Sequence, residues 1–200
     1  MRRWISEDAL TAWIFGPSSD VESLAESHDC YTAVVLEKDA ADLIAFLEEH
    51  GLEVYVDGGW AVDAALGEQT RPHDDLDIAM PHVQVPRLRA LLGTRGFREQ
   101  HRDDSWDCNF VLADQAGRRL DVHSYTLDAE GVNVGGVPYC GEHLTGRGVI
   151  AGYPVRCISP EWLVKFHTGY ELRDSDWHDV RRLCERFQIP VPDEYLKFRQ

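Results

Sequence analysis

The sequence predicts an α/β (α+β) protein in which a mixed sheet is flanked by helices and followed by a small helical C-terminal part. Three observations carry this. Helical and strand-like segments alternate through residues 38–96. Residues 105–114 and 118–127 both read as strands, and the Q-A-G between them is short enough for a hairpin. From Ser159 onward the apolar residues recur at helical spacing. The divisions drawn from these patterns are an N-terminal extension over 1–36, an α/β domain over 37–158 and a helical subdomain over 159–200.

In the extension, W-I-S-E-D-A-L-T-A-W-I-F suggests a short helix with Ser6 as N-cap, and G-P-S-S-D breaks it. C-Y-T-A-V-V-L-E (30–37) has the β-branched content of a strand. The run 38–51 is helical, with Leu43, Ile44 and Leu47 on one face and Gly51 as its C′ residue. A strand over 52–59 ends in the pair Gly58-Gly59, and a two-turn helix over 60–67 is closed by Gly67. Residues 68–75 form a loop, where Pro72 disfavours helix before it. D-L-D-I-A-M (75–80) alternates as a half-buried strand does, and 82–96 is an amphipathic helix ending at glycine. After the hairpin, 130–158 is glycine-rich and strand-like. Ser159 as N-cap with Pro160 at the first position opens a helix over about 160–170. A second helix runs from Ser175 or Asp176 to Phe187.

Composition narrows the function. The 200 residues are enough to bury a core, and 44% hydrophobic with 28% charged residues is ordinary for a globular protein. No apolar run approaches the ~18 residues of a membrane span. The N-terminus lacks an apolar h-region and a cleavage site, so the expectation is a cytoplasmic protein. Five scattered cysteines (Cys30, Cys108, Cys140, Cys157, Cys184) without a C-x-x-C motif exclude a Cys-rich zinc site and suit buried small hydrophobes in a reducing compartment. A net charge of −15 repels nucleic acid and attracts cationic small molecules, although solubility alone explains it equally well.

The chemistry concentrates in G-G-W-A-V-D-A-A-L-G-E-Q-T-R-P-H-D-D-L-D-I-A-M (58–80). Strand parity puts Asp75 and Asp77 on one face, and Leu76, Ile78 and Met80 on the other. In the later strand Asp121, His123 and Tyr125 share a face. Two neighbouring strands thus place three carboxylates on one surface, where they resist joint ionisation. A divalent cation removes that penalty, and oxygen ligands select Mg²⁺ or Mn²⁺. Two such ions suit phosphoryl chemistry. Strand, Gly58-Gly59, then helix is a setting for phosphate. Each motif alone is weak; glycine pair, short helix, D-x-D and a third Asp on a later strand are strong in that order.

These residues resemble the nucleotidyltransferase superfamily, and more closely its small antibiotic-modifying branch. The stretch G-G-W-A-V-D-A-A-L-G-E-Q-T-R-P-H-D-D-L-D-I is similar to both the aminoglycoside 2''-nucleotidyltransferases and the small lincosamide nucleotidyltransferases. G-V-I-A-G-Y-P-V-R-C-I-S (148–159) is nearer the aminoglycoside enzymes. L-D-V-H (120–123) and F-H-T-G-Y-E-L (166–172) are nearer the lincosamide enzymes. The resemblance covers roughly residues 40–190. It implies a nucleotidyltransferase fold over 37–158 and transfer of AMP from ATP to an antibiotic hydroxyl, with release of pyrophosphate. By that resemblance Asp75 and Asp77 hold the metal ions, two Mg²⁺ with Mn²⁺ as the alternative, and Asp121 completes a metal site, acts as general base on the acceptor hydroxyl, or does both. Gly58 and Gly59 face the triphosphate, and Arg71 and His73 contact phosphate. The expected partners are a nucleotide and a small-molecule antibiotic, with neither nucleic acid nor membrane. Residues 1–36 fall outside the resemblance; covering the cleft, extending the sheet or forming a homodimer are the roles open to them.

The alternatives are a nucleotidyltransferase of the antitoxin kind, acting on a protein or tRNA, and a non-catalytic nucleotide-binding module. The acidic charge opposes tRNA, and the presence of all three carboxylates opposes the module. Around the motif, Asp114 and Asp128 compete with Asp121. Asp74 has the wrong parity, and Asp63 either pairs locally or meets substrate. Trp60 belongs to the core or stacks on a base. His123 orients Asp121, touches the acceptor or is structural. His167, Tyr170 and His178 pack helices or wall the antibiotic pocket. Asp174, Asp176 and Asp179 cap helices or bind a cationic substrate.

Overall fold

The computed structural model describes residues 34–199, so the helix expected near Ser6 and the first half of the strand expected over 30–37 lie outside the described residues. The end of that strand contributes a single bridge, Val35 to His73, before the first helix begins. Helix α1 (Glu37–Glu49) turns Ala40, Ala41, Ile44 and Leu47 inward, as its apolar spacing requires. Strand β1 (Tyr55–Asp57) passes directly into helix α2 (Gly58–Leu66). The sequence placed this helix start at Trp60. Instead Asp57 is the N-cap, its carboxylate accepting the Gly58 N–H at 2.8 Å, so both glycines belong to the first turn.

Strand β2 (Asp75–Pro81) is followed by a 3₁₀ turn, His82–Gln84, and helix α3 (Val85–Thr94). One helix was expected across 82–96. Pro86 lies in the first turn of α3, a position where a missing N–H costs nothing, so the α-helix opens there. Strand β3 (Arg98–Gln100) had no sequence signal: its three exposed polar residues are placed by pairing with β4 (Asn109–Ala113). The remaining elements are β5 (Arg119–Leu127), β6 (Asn133–Gly136), β7 (Gly146–Ile150), β8 (Tyr153–Cys157), α4 (Pro160–Phe166) and α5 (Asp174–Phe187). Helix α4 is shorter than expected because the Thr168 hydroxyl and N–H both turn back to the Lys165 carbonyl, at 2.6 and 3.2 Å.

The strands form one mixed sheet in the order β3-β4-β5-β2-β1-β8-β7, with β6 also on β5. β2 runs antiparallel to β1 and parallel to β5. Leu76, Ile78, Met80, Leu120 and Val122 form the apolar centre of this sheet. They share a buried core with Ile44 and Leu47 of α1, Leu88 and Leu92 of α3, and Val180 and Leu183 of α5. Cys108, Cys157 and Cys184 are buried and Cys140 is half-buried; none of the four is in a disulfide. No described helix is long and apolar enough to cross a membrane.

This packing predicts the response to truncation. Ile44→Ala should lower unfolding free energy by about 2–4 kcal/mol, because Ile44 is 1% exposed and its cavity opens between α1 and the sheet. Leu36→Ala, at 61% exposure, should change it by less than about 0.5 kcal/mol. Urea denaturation of the two variants checks the contrast.

Candidate active site

Strand register builds the site. Asp57 of β1 lies opposite Asp77 of β2, and Asp77 lies beside Asp121 of β5. Neighbours in register on one face approach within about 5 Å, so these three carboxylates form a row across three strands. Asp75 precedes the row on β2 and faces the same way. His123 follows it on β5, beside Ala79. All three predicted acids, Asp75, Asp77 and Asp121, are therefore on one face.

Asp57 was not among the residues the sequence singled out. Its signal was present in V-D-G-G: an acid at the last strand position before the glycine pair, with the strand parity that faces the later acids. Asp57 is buried, and besides the Gly58 N–H it accepts the Tyr139 hydroxyl. Burial works against its charge, but the neighbouring His123, Tyr139 and Gly58 N–H hold its carboxyl below the usual value. His123 lies between acids, with Nδ1 3.8 Å from Asp57 and Nε2 3.6 Å from Asp121. Burial opposes its protonation too, yet Asp57, Asp121 and Asp77 hold it up at about 9. The ring is thus cationic at neutral pH.

Asp77 has the opposite fate. Burial first, then the charges of Asp75 and Asp121, push its carboxyl well above the ordinary range. Asp75 is also raised, by burial against the pull of Arg119, whose guanidinium is 3.9 Å away, with Asp121 adding to the rise. Asp121 carries the Arg102 guanidinium at 3.0 Å on one oxygen, while its other oxygen is buried without a hydrogen-bond partner. Single ligand atoms of Asp77, Asp121 and His123 lie within 4.8 Å of one another; Asp75 is outside that group. A buried carboxylate oxygen that accepts no hydrogen bond, beside a carboxyl that resists ionisation, fits a hard divalent cation. Protonated, His123 serves as counter-ion to Asp57 and Asp121; deprotonated, it adds a nitrogen ligand beside Asp77 and Asp121.

Gly58 has φ +56, and a Cβ there would come 2.3 Å from Asp77 Oδ2. Only glycine permits both the left-handed backbone and this approach. Its N–H is spent on Asp57, so the anion-binding donors are the first-turn N–H groups after it. A Cβ at Gly59 would lie 2.5 Å from both Arg71 Nη2 and His73 Nδ1. The four predicted nucleotide-facing residues, Gly58, Gly59, Arg71 and His73, are thus clustered at the start of α2. Arg71 is paired with Asp179 of α5 at 2.6 Å, and His73 with Asp63 at 2.6 Å.

The structure places the competing residues as follows. Asp114 and Asp128 accept backbone N–H groups in their own turns. Asp63 pairs locally, accepting the Thr70 hydroxyl at 2.6 Å as well. Trp60 is buried against His73, with ring centroids 4.5 Å apart. Asp176 caps α5 by accepting the Arg173 N–H at 2.7 Å. His167 is buried, with Nδ1 2.7 Å from the Leu163 carbonyl.

Known proteins resemble this chain in sequence and in fold. The family model described as aminoglycoside-2''-adenylyltransferase matches residues 40–183. A 2''-aminoglycoside nucleotidyltransferase from Escherichia coli is 33% identical over 137 residues, 68% of this chain and 75% of its own. A lincosamide resistance protein from Staphylococcus haemolyticus is 28% identical over 155 residues, 74% of this chain and 94% of its own. Among solved structures, the lincosamide antibiotic adenylyltransferase LnuA, lincomycin-bound, has the same fold: TM-score 0.67 at 24% identity, covering 79% of this chain and 100% of that one. ANT(2'')-Ia in complex with adenylyl-2''-tobramycin gives 0.60 at 26% identity, covering 74% and 88%.

The strained Asp77 carboxyl has a measurable consequence. Its folded pKa lies above its unfolded value, so the folded state binds the extra proton and stability falls as pH rises from the unfolded pKa through the folded one. Asp77→Asn should therefore stabilise the metal-free protein near pH 7.5 by about 1 kcal/mol, and the gain should vanish below about pH 4. Mg²⁺ should raise the melting temperature of the wild type and not of this variant. Calorimetry with and without Mg²⁺ checks both.

Proposed function

Because the chain belongs to the aminoglycoside-2''-adenylyltransferase family, we propose that it transfers AMP from ATP to a hydroxyl of a small-molecule antibiotic, an aminoglycoside or a lincosamide, with release of pyrophosphate. The observation that carries this is the row Asp57–Asp77–Asp121 set against the first turn of α2. It brings a carboxylate cluster and an anion-binding helix start to one place, which is what joining a triphosphate to a hydroxyl needs.

Asp75, Asp77 and Asp121 would hold Mg²⁺ or Mn²⁺, which when bound supplies charge to the phosphates and acidity to the attacking hydroxyl. The chain's own groups do the rest. First-turn N–H groups of α2 receive the phosphates, and the missing side chains of Gly58 and Gly59 let them approach. Arg71, packed on Gly59 beside His73, offsets charge that develops on the leaving pyrophosphate. Asp121 takes the proton of the acceptor hydroxyl. His123, held cationic by Asp57, keeps Asp121 oriented from the side at 3.6 Å.

The acceptor class has support on both sides. A net charge of −15 favours a polycationic aminoglycoside, and the E. coli relative bears that name. L-D-V-H, and the Staphylococcus relative that aligns over 94% of its length, favour a lincosamide.

The test is mass spectrometry after incubation with ATP, Mg²⁺ and a panel of aminoglycosides and lincosamides. One compound should gain one AMP. Asp121→Asn should lower kcat on the order of 10²–10⁴-fold while ATP binding persists. ATP bound with no adduct on any compound would overturn the antibiotic assignment.

A further inference from the structure

Two buried carboxylates, neither of them in the catalytic row, hold the two side chains that meet at Gly59. Asp179 of α5 is 1% exposed and takes the Nε–Nη2 edge of Arg71, with Nε to Oδ1 at 3.0 Å and Nη2 to Oδ2 at 2.6 Å. Arg71 Nη1 donates to the Pro72 carbonyl at 3.2 Å. A guanidinium has five N–H groups, so the edge between Nη1 and Nη2 still has hydrogens to offer. On the other side Asp63, 2% exposed, holds His73 Nε2 at 2.6 Å and leaves Nδ1 turned to Gly59. A buried carboxylate is costly unless it is paired, and helix packing does not require one at 179, where Val180 and Leu183 fill the core.

We propose that Asp179 and Asp63 are positioning residues: they fix Arg71 and His73 over Gly59, so that the C-terminal helix α5 is part of the triphosphate site. This rests on the reading that Arg71 meets the phosphates of ATP. Arg71 stands in the loop between α2 and β2 and is 28% exposed. Without Asp179 its long side chain is free to take many rotamers, and binding a phosphate then has to order it. The bidentate pair does this ordering in advance.

The experiment is titration calorimetry of ATP and of AMP against the full chain. Asp179→Asn should weaken ATP about tenfold, as loss of an orienting partner does, and change AMP little, since AMP lacks the phosphates that leave. Steady-state rates should show KM for ATP rising while KM for the acceptor stays constant. Asp179→Glu, which restores the carboxylate, should recover most of the loss. The double variant Arg71→Met/Asp179→Leu removes both charges and keeps an apolar pair, so it should stay folded and bind ATP as weakly as Arg71→Met alone, because Asp179 acts through Arg71; a further loss in the double variant overturns the proposal. Asp174→Asn, on the exposed first turn of the same helix, should bind ATP as the wild type does. Unchanged ATP affinity in Asp179→Asn, or an equal loss for ATP and AMP, overturns the proposal. A wild type that binds no ATP overturns the nucleotidyl-transfer reading instead.

Discussion

Carboxylates side by side on a buried sheet face repel one another, and each has lost the water that would dilute the repulsion. The register of β1, β2 and β5 imposes this arrangement on Asp57, Asp77 and Asp121. Much of the surrounding structure answers it. His123 is kept cationic between Asp57 and Asp121, Arg102 lies on Asp121, and Arg119 stands near Asp75. Asp77 forms no ion pair among the described residues, and burial with the charges of Asp75 and Asp121 outweighs the pull of His123, so it keeps its proton into a higher pH range. The row is a destabilised arrangement held by the rest of the sheet, the usual relation between a functional site and its scaffold.

The scaffold can carry it because the opposite face is dry and apolar. Leu76 and Ile78 alternate with the acids of β2, and Leu120 and Val122 flank Asp121. A shift of one residue in the β2–β5 register would send the carboxylates into this core. The hydrophobic effect that packs α1 and α3 onto the sheet is thus the force that holds the acids together.

At the other edge of the site the same economy holds with opposite charges. Arg71 and His73 lie against Gly59 because Asp179 and Asp63 hold them, and their proximity is possible because Gly59 has no side chain. The carboxylate row and the Arg71–His73 pair meet at Gly58-Gly59, where the Gly58 backbone sits against Asp77 and the Gly59 backbone against Arg71 and His73.

Local chemistry made much of this legible in the sequence. Alternation in D-L-D-I-A-M and R-L-D-V-H sorted acids from core residues, since a strand's period is set by its own backbone. The glycine pair announced a close approach, and the D-x-D with the later Asp121 announced the face. What no local pattern contained was the pairing of strands. That β1 lies next to β2, and brings Asp57 into the row, depends on contacts between segments far apart in the chain. So does β3, whose polar residues became a strand through pairing with β4. Asp179 read as a helix cap or a contact for a cationic substrate, and only the packing of α5 against the loop after α2 made it the partner of Arg71, 108 positions away. Periodicity and turn chemistry are decided within a few residues; register, burial and the pairing of distant charges are decided by the free energy of the whole packed molecule.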